Sequence, residues 1–117
     1  MLALIVREPW DSLILSGQKT WEIRTKNTNV RGRIGIIRSK SGKIMGYAEL
    51  VDSMPLSKEK LLANLGKHQI TKKDVSELFA PGSKYKKPWA WVLRNAKSLK
   101  TPRPYKHPNG AIIWVRI

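Results

Sequence analysis

Apolar and polar residues alternate in several short runs along this 117-residue chain. Successive side chains of a β-strand point to opposite faces, so such runs predict strands with one buried face. We predict six strands, at residues 2–6, 20–24, 33–38, 43–51, 89–93 and 111–116. Trp89, Trp91 and Trp114 are interpreted as core side chains, with Trp114 closing a small barrel.

Helical signals occupy three short segments, at residues 11–16, 57–65 and 71–79. Ser57 suits the N-cap of the second, and Thr71 with the acid three residues later resembles a capping pair for the third. Gly17 suits the left-handed end of the first helix, and Ser41-Gly42 predicts a hairpin turn. Because no repeat or linker divides the chain, residues 1–117 are expected to form one α+β domain with short helices at the barrel edge.

Lysine and arginine number 23 against 8 aspartate and glutamate residues, a formal net charge of +15. No acidic residue follows Glu77, so the C-terminal third carries charge of one sign. A protein with this balance attracts polyanions, which makes RNA or single-stranded nucleic acid the expected partner. The alternative is a basic face that serves only solubility. A membrane partner is not expected, because no apolar run approaches the roughly 18 residues that a span requires.

Several other functional classes are not supported by the sequence. Without cysteine there is no disulfide and no thiolate metal site. His68 and His107 are far apart, have no carboxylate at metal-ligand spacing and are both expected at the surface. We therefore expect neither a metal nor a cofactor. The apolar run at residues 1–6 lacks a basic leader and is interpreted as a strand rather than a signal peptide, so a cytoplasmic location is expected.

The segment from Lys19 to Arg24 concentrates charge on a predicted strand. Glu22 and Arg24 should share one face, whereas Lys19 should share the other with Trp21. Charges in a cleft must be paired or bound to a ligand, so this cluster indicates a site. Lys19 could bind phosphate or, with a lowered pKa, transfer a proton, or it could be a surface lysine paired with Glu22.

The partners of Lys19 also have two interpretations each. Glu22 could accept a hydrogen bond from a nucleobase amino group or act as a base, or it could only neutralise its neighbours. Arg24 could hold a phosphate or organise Glu22.

Two basic loops with an aromatic residue are predicted at residues 80–88 and 100–108. Tyr85 and Tyr105 could each stack on a nucleobase while neighbouring lysines reach phosphate, or they could anchor the loops to the core. Trp10 is expected at the rim of a cleft, although packing explains it equally well. The other candidate nucleic-acid contacts are Arg31, Arg33, Ser39, Lys84, Lys86, Arg103 and Lys106.

Several short motifs in fixed order resemble one known family. They are Pro9-Trp10, Gly17-x-Lys19, Glu22-x-Arg24, Arg31-Gly32-Arg33, Gly46-Tyr47-Ala48 and Trp89-Ala90-Trp91-Val92-Leu93. Together they resemble the ASCH (activating signal cointegrator homology) family, a branch of the PUA-like β-barrel superfamily. The resemblance implies a small barrel of about six strands, with a cleft associated with RNA or modified nucleosides. It does not imply one activity.

Two classes of function follow from this resemblance. The favoured one is a binding module that holds RNA or single strands in a basic cleft without turnover. The alternative is a small hydrolase acting on RNA or on N4-acetylcytidine, in which Lys19 and Glu22 would be catalytic. The amidohydrolase branch of the family has a threonine three residues after the lysine and a glutamate from the helical insertion. Here Glu22 replaces the threonine, and the insertion offers only His68 or Asp74.

Overall fold

The structure, a computed structural model, describes residues 1–83 and 87–117. Its strands are β1 (Leu2–Val6), β2 (Trp21–Arg24), β3 (Gly32–Arg38), β4 (Lys43–Pro55), β5 (Trp89–Pro104) and β6 (Trp114–Arg116). Its helices are α1 (Trp10–Leu15), α2 (Lys58–Ala63), α3 (Leu65–His68) and α4 (Lys72–Leu78). None of these helices is long and apolar enough to cross a membrane.

The strands form one six-stranded sheet in the order β2-β5-β4-β3-β1-β6. Strands β1 and β3 are parallel, and the other neighbouring pairs are antiparallel. The predicted mixed α+β fold is confirmed. In the described part of the chain no ladder joins β2 to β6, so closure into a barrel is not confirmed.

Side chains nevertheless bridge the open side of the sheet. Arg24 on β2 donates a hydrogen bond of 2.9 Å to the carbonyl oxygen of Ile5 on β1, although β1 is the fourth strand from β2 in the sheet order. Trp91 on β5 stacks on Trp114 on β6, with ring centroids 5.7 Å apart. The sheet is therefore strongly curled, and Arg24 lies at the gap between its two edges.

Helix α1 covers one apolar cluster of the sheet, and the other three helices cover another. Ile14 and Leu15 pack with the strand residues of the first cluster. Leu61 and Val75 bury the side of β2 that carries Trp21. Gly46 is needed where α1 crosses β4, because a Cβ atom there would lie 2.3 Å from the Lys97 carbonyl oxygen and 2.6 Å from Leu15 Cδ2.

The predicted helix starts are confirmed, but the length of the second helix is wrong. The Ser57 hydroxyl accepts from the Lys60 N–H, and the Thr71 hydroxyl accepts from the Asp74 N–H. The segment predicted as one helix over residues 57–65 is broken at Asn64, whose φ of −130° is not helical. A separate short helix, α3, follows the break.

The fifth strand is much longer than predicted. It continues to Pro104, paired with β4 through Arg103 opposite Ile44 and Pro104 opposite Lys43. The expected loop at residues 100–108 is therefore wrong for its first half. Strand β2 pairs with residues 89–92 of β5, and the ladder between them does not reach the end of β5. Proline is tolerated on an unpaired strand edge, because the N–H that it lacks would have no partner there.

Candidate functional site

The end of α1 fixes the backbone of Lys19. Gly17 adopts a φ of +84°, a left-handed conformation that glycine tolerates without strain. The chain then turns back, so that the Lys19 N–H donates to the Leu13 carbonyl at 3.0 Å. The next residue, Thr20, donates its N–H to the Lys67 carbonyl at 2.8 Å. Lys19 thus lies before β2, held between α1 and α3.

The side chain of Lys19 is buried, with 2% of its surface exposed. Its Nζ atom donates to the His68 carbonyl at 2.6 Å and lies 3.7 Å from Glu22 Oε1. The ammonium is also 4.7 Å from the centre of the Trp10 ring. Burial lowers the pKa of Lys19, and the negative charge of Glu22 opposes this only in part.

Contact between Lys19 and Glu22 departs from the predicted alternation of faces. Strand β2 begins at Trp21, so the period of two does not extend back to Lys19. The lysine side chain can therefore reach the face that carries Glu22 and Arg24.

The prediction that His68 lies at the surface is wrong. Its side chain is completely buried beneath the helical segment. The ring Nδ1 accepts from the Ile70 N–H at 3.0 Å, and Nε2 is 2.7 Å from the Leu61 carbonyl oxygen. A carbonyl can only accept, so Nε2 carries the hydrogen and the ring is neutral. Burial lowers the pKa of His68, with a smaller contribution from the positive charge of Lys19.

Arg24 holds Glu22 in place. Its Nε and Nη2 atoms donate to Glu22 Oε2 at 3.0 and 2.8 Å, and Nη2 also donates to the Ile5 carbonyl. The guanidinium lies over the Trp91 ring. Glu22 is 7% exposed, so this is a mostly buried ion pair with one carboxylate oxygen, Oε1, turned towards Lys19.

A cleft of about 980 Å³ opens over these groups. We call Lys19, Glu22 and Arg24 its floor. The helical wall consists of Ile70, Asp74 and Leu78, and the C-terminal wall of Tyr105, His107, Ala111 and Ile112. The rim carries Arg7, Trp10, Ser39 and Lys40. The cleft thus has charged groups on its floor, apolar side chains on its walls and cations at its rim. Such an arrangement suits a polar aromatic ligand.

The C-terminal wall contains its own hydrogen-bonded chain. The Tyr105 hydroxyl lies 2.7 Å from His107 Nδ1, and His107 Nε2 lies 2.9 Å from the Ala111 carbonyl oxygen. Burial raises the pKa of Tyr105, so its phenol stays protonated at neutral pH. His107 itself is exposed, as predicted.

The structure brings about half of the predicted site residues together at this cleft. Trp10, Lys19, Glu22, Arg24, Ser39 and Tyr105 line it. Arg31, Arg33, Arg103 and Lys106 do not line it: Arg31 binds two nearby carbonyls, and Arg33 lies over the Tyr47 ring. Lys84, Tyr85 and Lys86 lie outside the described residues.

Sequence reasoning did not assign Arg7, Lys40, His107 and Ile112 to the site. It named Asp74 only as part of a capping pair and as an insertion residue in the hydrolase alternative, and Asp74 lines the cleft. The signal that could have pointed to the helical wall is the i, i+4 spacing of Asp74 and Leu78, which places them on one face of α4. Across residues 1–83 and 87–117, no cluster of three or more His, Cys, Asp or Glu side chains is arranged to hold a metal ion.

Comparison with solved structures identifies relatives of the fold. The chain has the fold of ASCH from Zymomonas mobilis, with a TM-score of 0.74 over 98% of this chain and 87% of that one, at 20% identity. Two variants of that protein also match, each with a TM-score of 0.71 and 20% identity. For the tyrosine-to-phenylalanine variant the match covers 88% of this chain and 74% of that one. For the serine-to-alanine variant it covers 98% of this chain and 87% of that one. These matches show that the chain shares the fold of an ASCH protein.

The family follows from the sequence profile. The profile of the ASCH domain matches residues 4–103, which is most of the chain. The protein therefore belongs to the ASCH domain family. No curated protein matches the chain significantly.

Proposed function

We propose that this protein binds single-stranded RNA, taking one nucleoside into the cleft while the strand crosses the basic rim. The observation that carries the proposal is the cleft itself, with a charged floor below apolar walls in a chain of net charge +15. Its volume of about 980 Å³ is at the upper end of the range for small-ligand sites. A nucleoside with part of its backbone therefore fits it.

The floor offers a donor beside an acceptor. Lys19 Nζ has one close oxygen partner, the His68 carbonyl, so further N–H groups remain available. The described residues give Glu22 Oε1 no hydrogen bond, since Lys19 Nζ is 3.7 Å away. A nucleobase edge with an acceptor next to an amino group complements this pair. Ile70 and Ile112 on the two walls provide apolar surface for the faces of the base.

Exposed cations continue away from the cleft. Arg7 and Lys40 lie at its rim, and β5 carries further exposed basic residues, namely Arg94, Lys97, Lys100 and Arg103. Phosphate contacts by such side chains supply affinity without reading sequence. The proposal thus assigns base recognition to the floor and backbone attraction to the rim and β5.

A salt titration of RNA binding tests the proposal. If about five phosphates are neutralised, the affinity for a single strand should fall with a log–log slope of about −3.5. Lys40→Ala at the rim should weaken binding and reduce the slope by about one. Lys58→Ala, at a lysine on α2 that is also exposed but lies outside the cleft, is the matched control. Absence of binding at low salt would remove the proposal.

A second candidate is hydrolysis of an acylated nucleoside such as N4-acetylcytidine. Asp74 favours it, because this acid from the helical insertion lines the same cleft as Lys19 and Glu22. Glu22 in the threonine position argues against it, since the pair then supplies no hydroxyl nucleophile and water must attack. We expect no efficient release of cytidine on incubation with N4-acetylcytidine. Rapid release that is lost in Asp74→Asn, and kept in Glu77→Gln, would make this candidate the better one.

We further propose that the curled sheet acts as a PUA-like barrel whose open side is closed by side chains. The Arg24–Ile5 hydrogen bond and the Trp91–Trp114 stack support this. We also propose that the protein works in the cytoplasm, where its RNA partner is available.

A further inference from the structure

The turn between β3 and β4 forms part of the cleft rim, and we call residues 39–42 the rim turn. The residues of this turn that line the cleft are Ser39, Lys40 and Gly42. The Ser39 N–H donates to the carbonyl of Val6 at 2.8 Å, which brings the turn beside the next residue, Arg7. Arg7 also lines the cleft, so two separate chain segments each contribute a cation to this part of the rim.

Contacts with α1 and with the C-terminal wall fix the rim turn. Arg38, which precedes the turn, forms an ion pair of 2.8 Å with Asp11 of α1. The Ser41 hydroxyl donates to the Arg38 carbonyl at 2.7 Å. The Gly42 carbonyl accepts from the Tyr105 N–H at 3.2 Å. Because these carbonyls are used within the protein, the turn is held without any ligand.

Three donors of the rim turn have no partner among residues 1–83 and 87–117. They are the N–H groups of Lys40 and Gly42 and the hydroxyl of Ser39. The angle φ is +64° at Lys40 and +68° at Gly42, whereas Ser41 between them has no positive φ. Such an alternation of left-handed and ordinary backbone is typical of a nest, in which neighbouring N–H groups bind an anion. A left-handed lysine is uncommon, and strained residues of this kind cluster at functional sites.

The charges of the cleft also favour an anion at the rim turn. Arg7 and Lys40 are exposed, and neither takes part in an ion pair within the described part of the chain. The two acidic residues that line the cleft, Glu22 and Asp74, belong to its floor and its helical wall. Two cations, two N–H groups and a hydroxyl together suit the several acceptor oxygens of a phosphate group.

We propose that the rim turn and Arg7 form a phosphate subsite, which binds the phosphate of the same nucleotide whose base lies on the floor. This inference rests on the proposed binding of RNA and deepens it, because the smallest complete ligand becomes a nucleotide rather than a nucleoside. The exposed cations of β5 attract any phosphate along a strand. The subsite instead positions one phosphate, since N–H groups and a hydroxyl donate in fixed directions.

The test compares nucleosides with their monophosphates. Binding of the four common ribonucleosides and of their 3′- and 5′-monophosphates is measured by titration at low salt. We expect a monophosphate to bind about 30-fold more tightly than its nucleoside, because hydrogen bonds to a charged group are added. Ser39→Ala should reduce this ratio about tenfold and leave nucleoside affinity unchanged. Ser98→Ala, at an exposed serine of β5 outside the cleft, is the matched control and should leave the ratio unchanged.

The backbone donors can be observed directly by NMR spectroscopy of the labelled protein. The amide signals of Lys40 and Gly42 should shift on titration with the monophosphate far more than with the nucleoside, because only the phosphate binds their N–H groups. The amide signal of Ser98 should shift with neither compound. Unchanged signals of Lys40 and Gly42 at saturation with the monophosphate would exclude the nest as a phosphate site.

The outcomes separate the subsite from the binding of RNA. If single-stranded RNA binds but nucleosides and monophosphates bind equally well, the subsite is wrong and the proposed function stands. A preference for monophosphates that Ser39→Ala leaves intact would assign the phosphate to the exposed cations alone and would also overturn the subsite. If monophosphates show the expected preference but single-stranded RNA does not bind, the proposed function fails and the subsite stands as a site for free nucleotides.

Discussion

The floor and the C-terminal wall of the cleft hold their polar groups in different ways. On the floor, Lys19 is 2% exposed, and Arg24 grips Glu22 with two N–H groups. On the wall, Ile112 is 79% exposed and His107 is held by one side chain and one carbonyl. Because buried charges need partners, the floor contributes to folding as well as to function. The wall can change with little effect on folding.

The strongest test of this difference is Glu22→Ala. Removal of the carboxylate leaves Lys19 buried without its anion and deprives Arg24 of two hydrogen bonds. We expect the free energy of unfolding to fall by about 3–5 kcal/mol, the usual cost of breaking a buried pair. Chemical denaturation measures it. Glu77→Ala, an exposed glutamate, is the control, and equal small losses in both variants would show that the floor is not an integral part of the fold.

A smaller loss is expected from Arg24→Lys. Lysine keeps the charge but cannot donate to Glu22 Oε2 and the Ile5 carbonyl in the same planar arrangement. We expect a destabilisation of about 1.5–3 kcal/mol, the value of hydrogen bonds to charged groups. Arg33→Lys, at an exposed residue whose guanidinium lies over the Tyr47 ring, should change stability by less than about 0.5 kcal/mol. If the two variants behaved alike, Arg24 would not bridge the open side of the sheet in solution.

The pH dependence of stability tests the burial of His68, whose carbonyl oxygen holds Lys19 on the floor. His68 has a lowered pKa when folded, so below about pH 6.5 the unfolded chain binds a proton that the folded chain does not. Stability must therefore fall as the pH falls through this window. At pH 5.5 the loss due to His68 reaches at most about 1.4 kcal/mol relative to neutral pH.

Chemical denaturation at pH 7.5 and at pH 5.5 measures this contribution, because these two conditions lie about one unit above and below the ordinary histidine pKa of about 6.5. The difference between the two conditions should be larger in the wild type than in His68→Gln, which removes the titrating ring. The other titrating groups are shared and cancel. If both proteins lost the same stability, the His68 ring would be accessible to protons in the folded state.

What the sequence predicts well is local. The caps at Ser57 and Thr71 were predictable because a cap bonds to an N–H three residues ahead. The floor was predictable because Lys19, Glu22 and Arg24 lie within six residues, where unpaired charge is expensive. The prediction that Lys19 lies on the opposite face is wrong because β2 begins at Trp21, two residues after Lys19, so the alternation of faces does not reach it.

The sequence does not predict the parts of the site that are assembled from distant segments. The carbonyl that holds Lys19 belongs to His68, 49 residues away, and no local pattern shows that this histidine is buried. Asp74 and His107 line the same cleft as the floor although they lie about 50 and 85 residues further along the chain. The extension of β5, which ends one residue before Tyr105, lies in a segment whose prolines predict a loop. Tertiary context overrides the proline signal where one strand edge has no partner.

The smallest expected effect on folding belongs to the wall. Ile112→Ser should change the free energy of unfolding by less than about 0.5 kcal/mol, because the side chain is 79% exposed. RNA affinity should nevertheless fall about fivefold, close to 1 kcal/mol, since a base loses apolar contact. Val51→Ser, which also truncates an apolar side chain at the surface but lies outside the cleft, should leave RNA affinity unchanged. A loss of affinity that is the same in both variants would mean that Ile112 faces solvent rather than the ligand, and the wall would then contribute only the Tyr105–His107 pair.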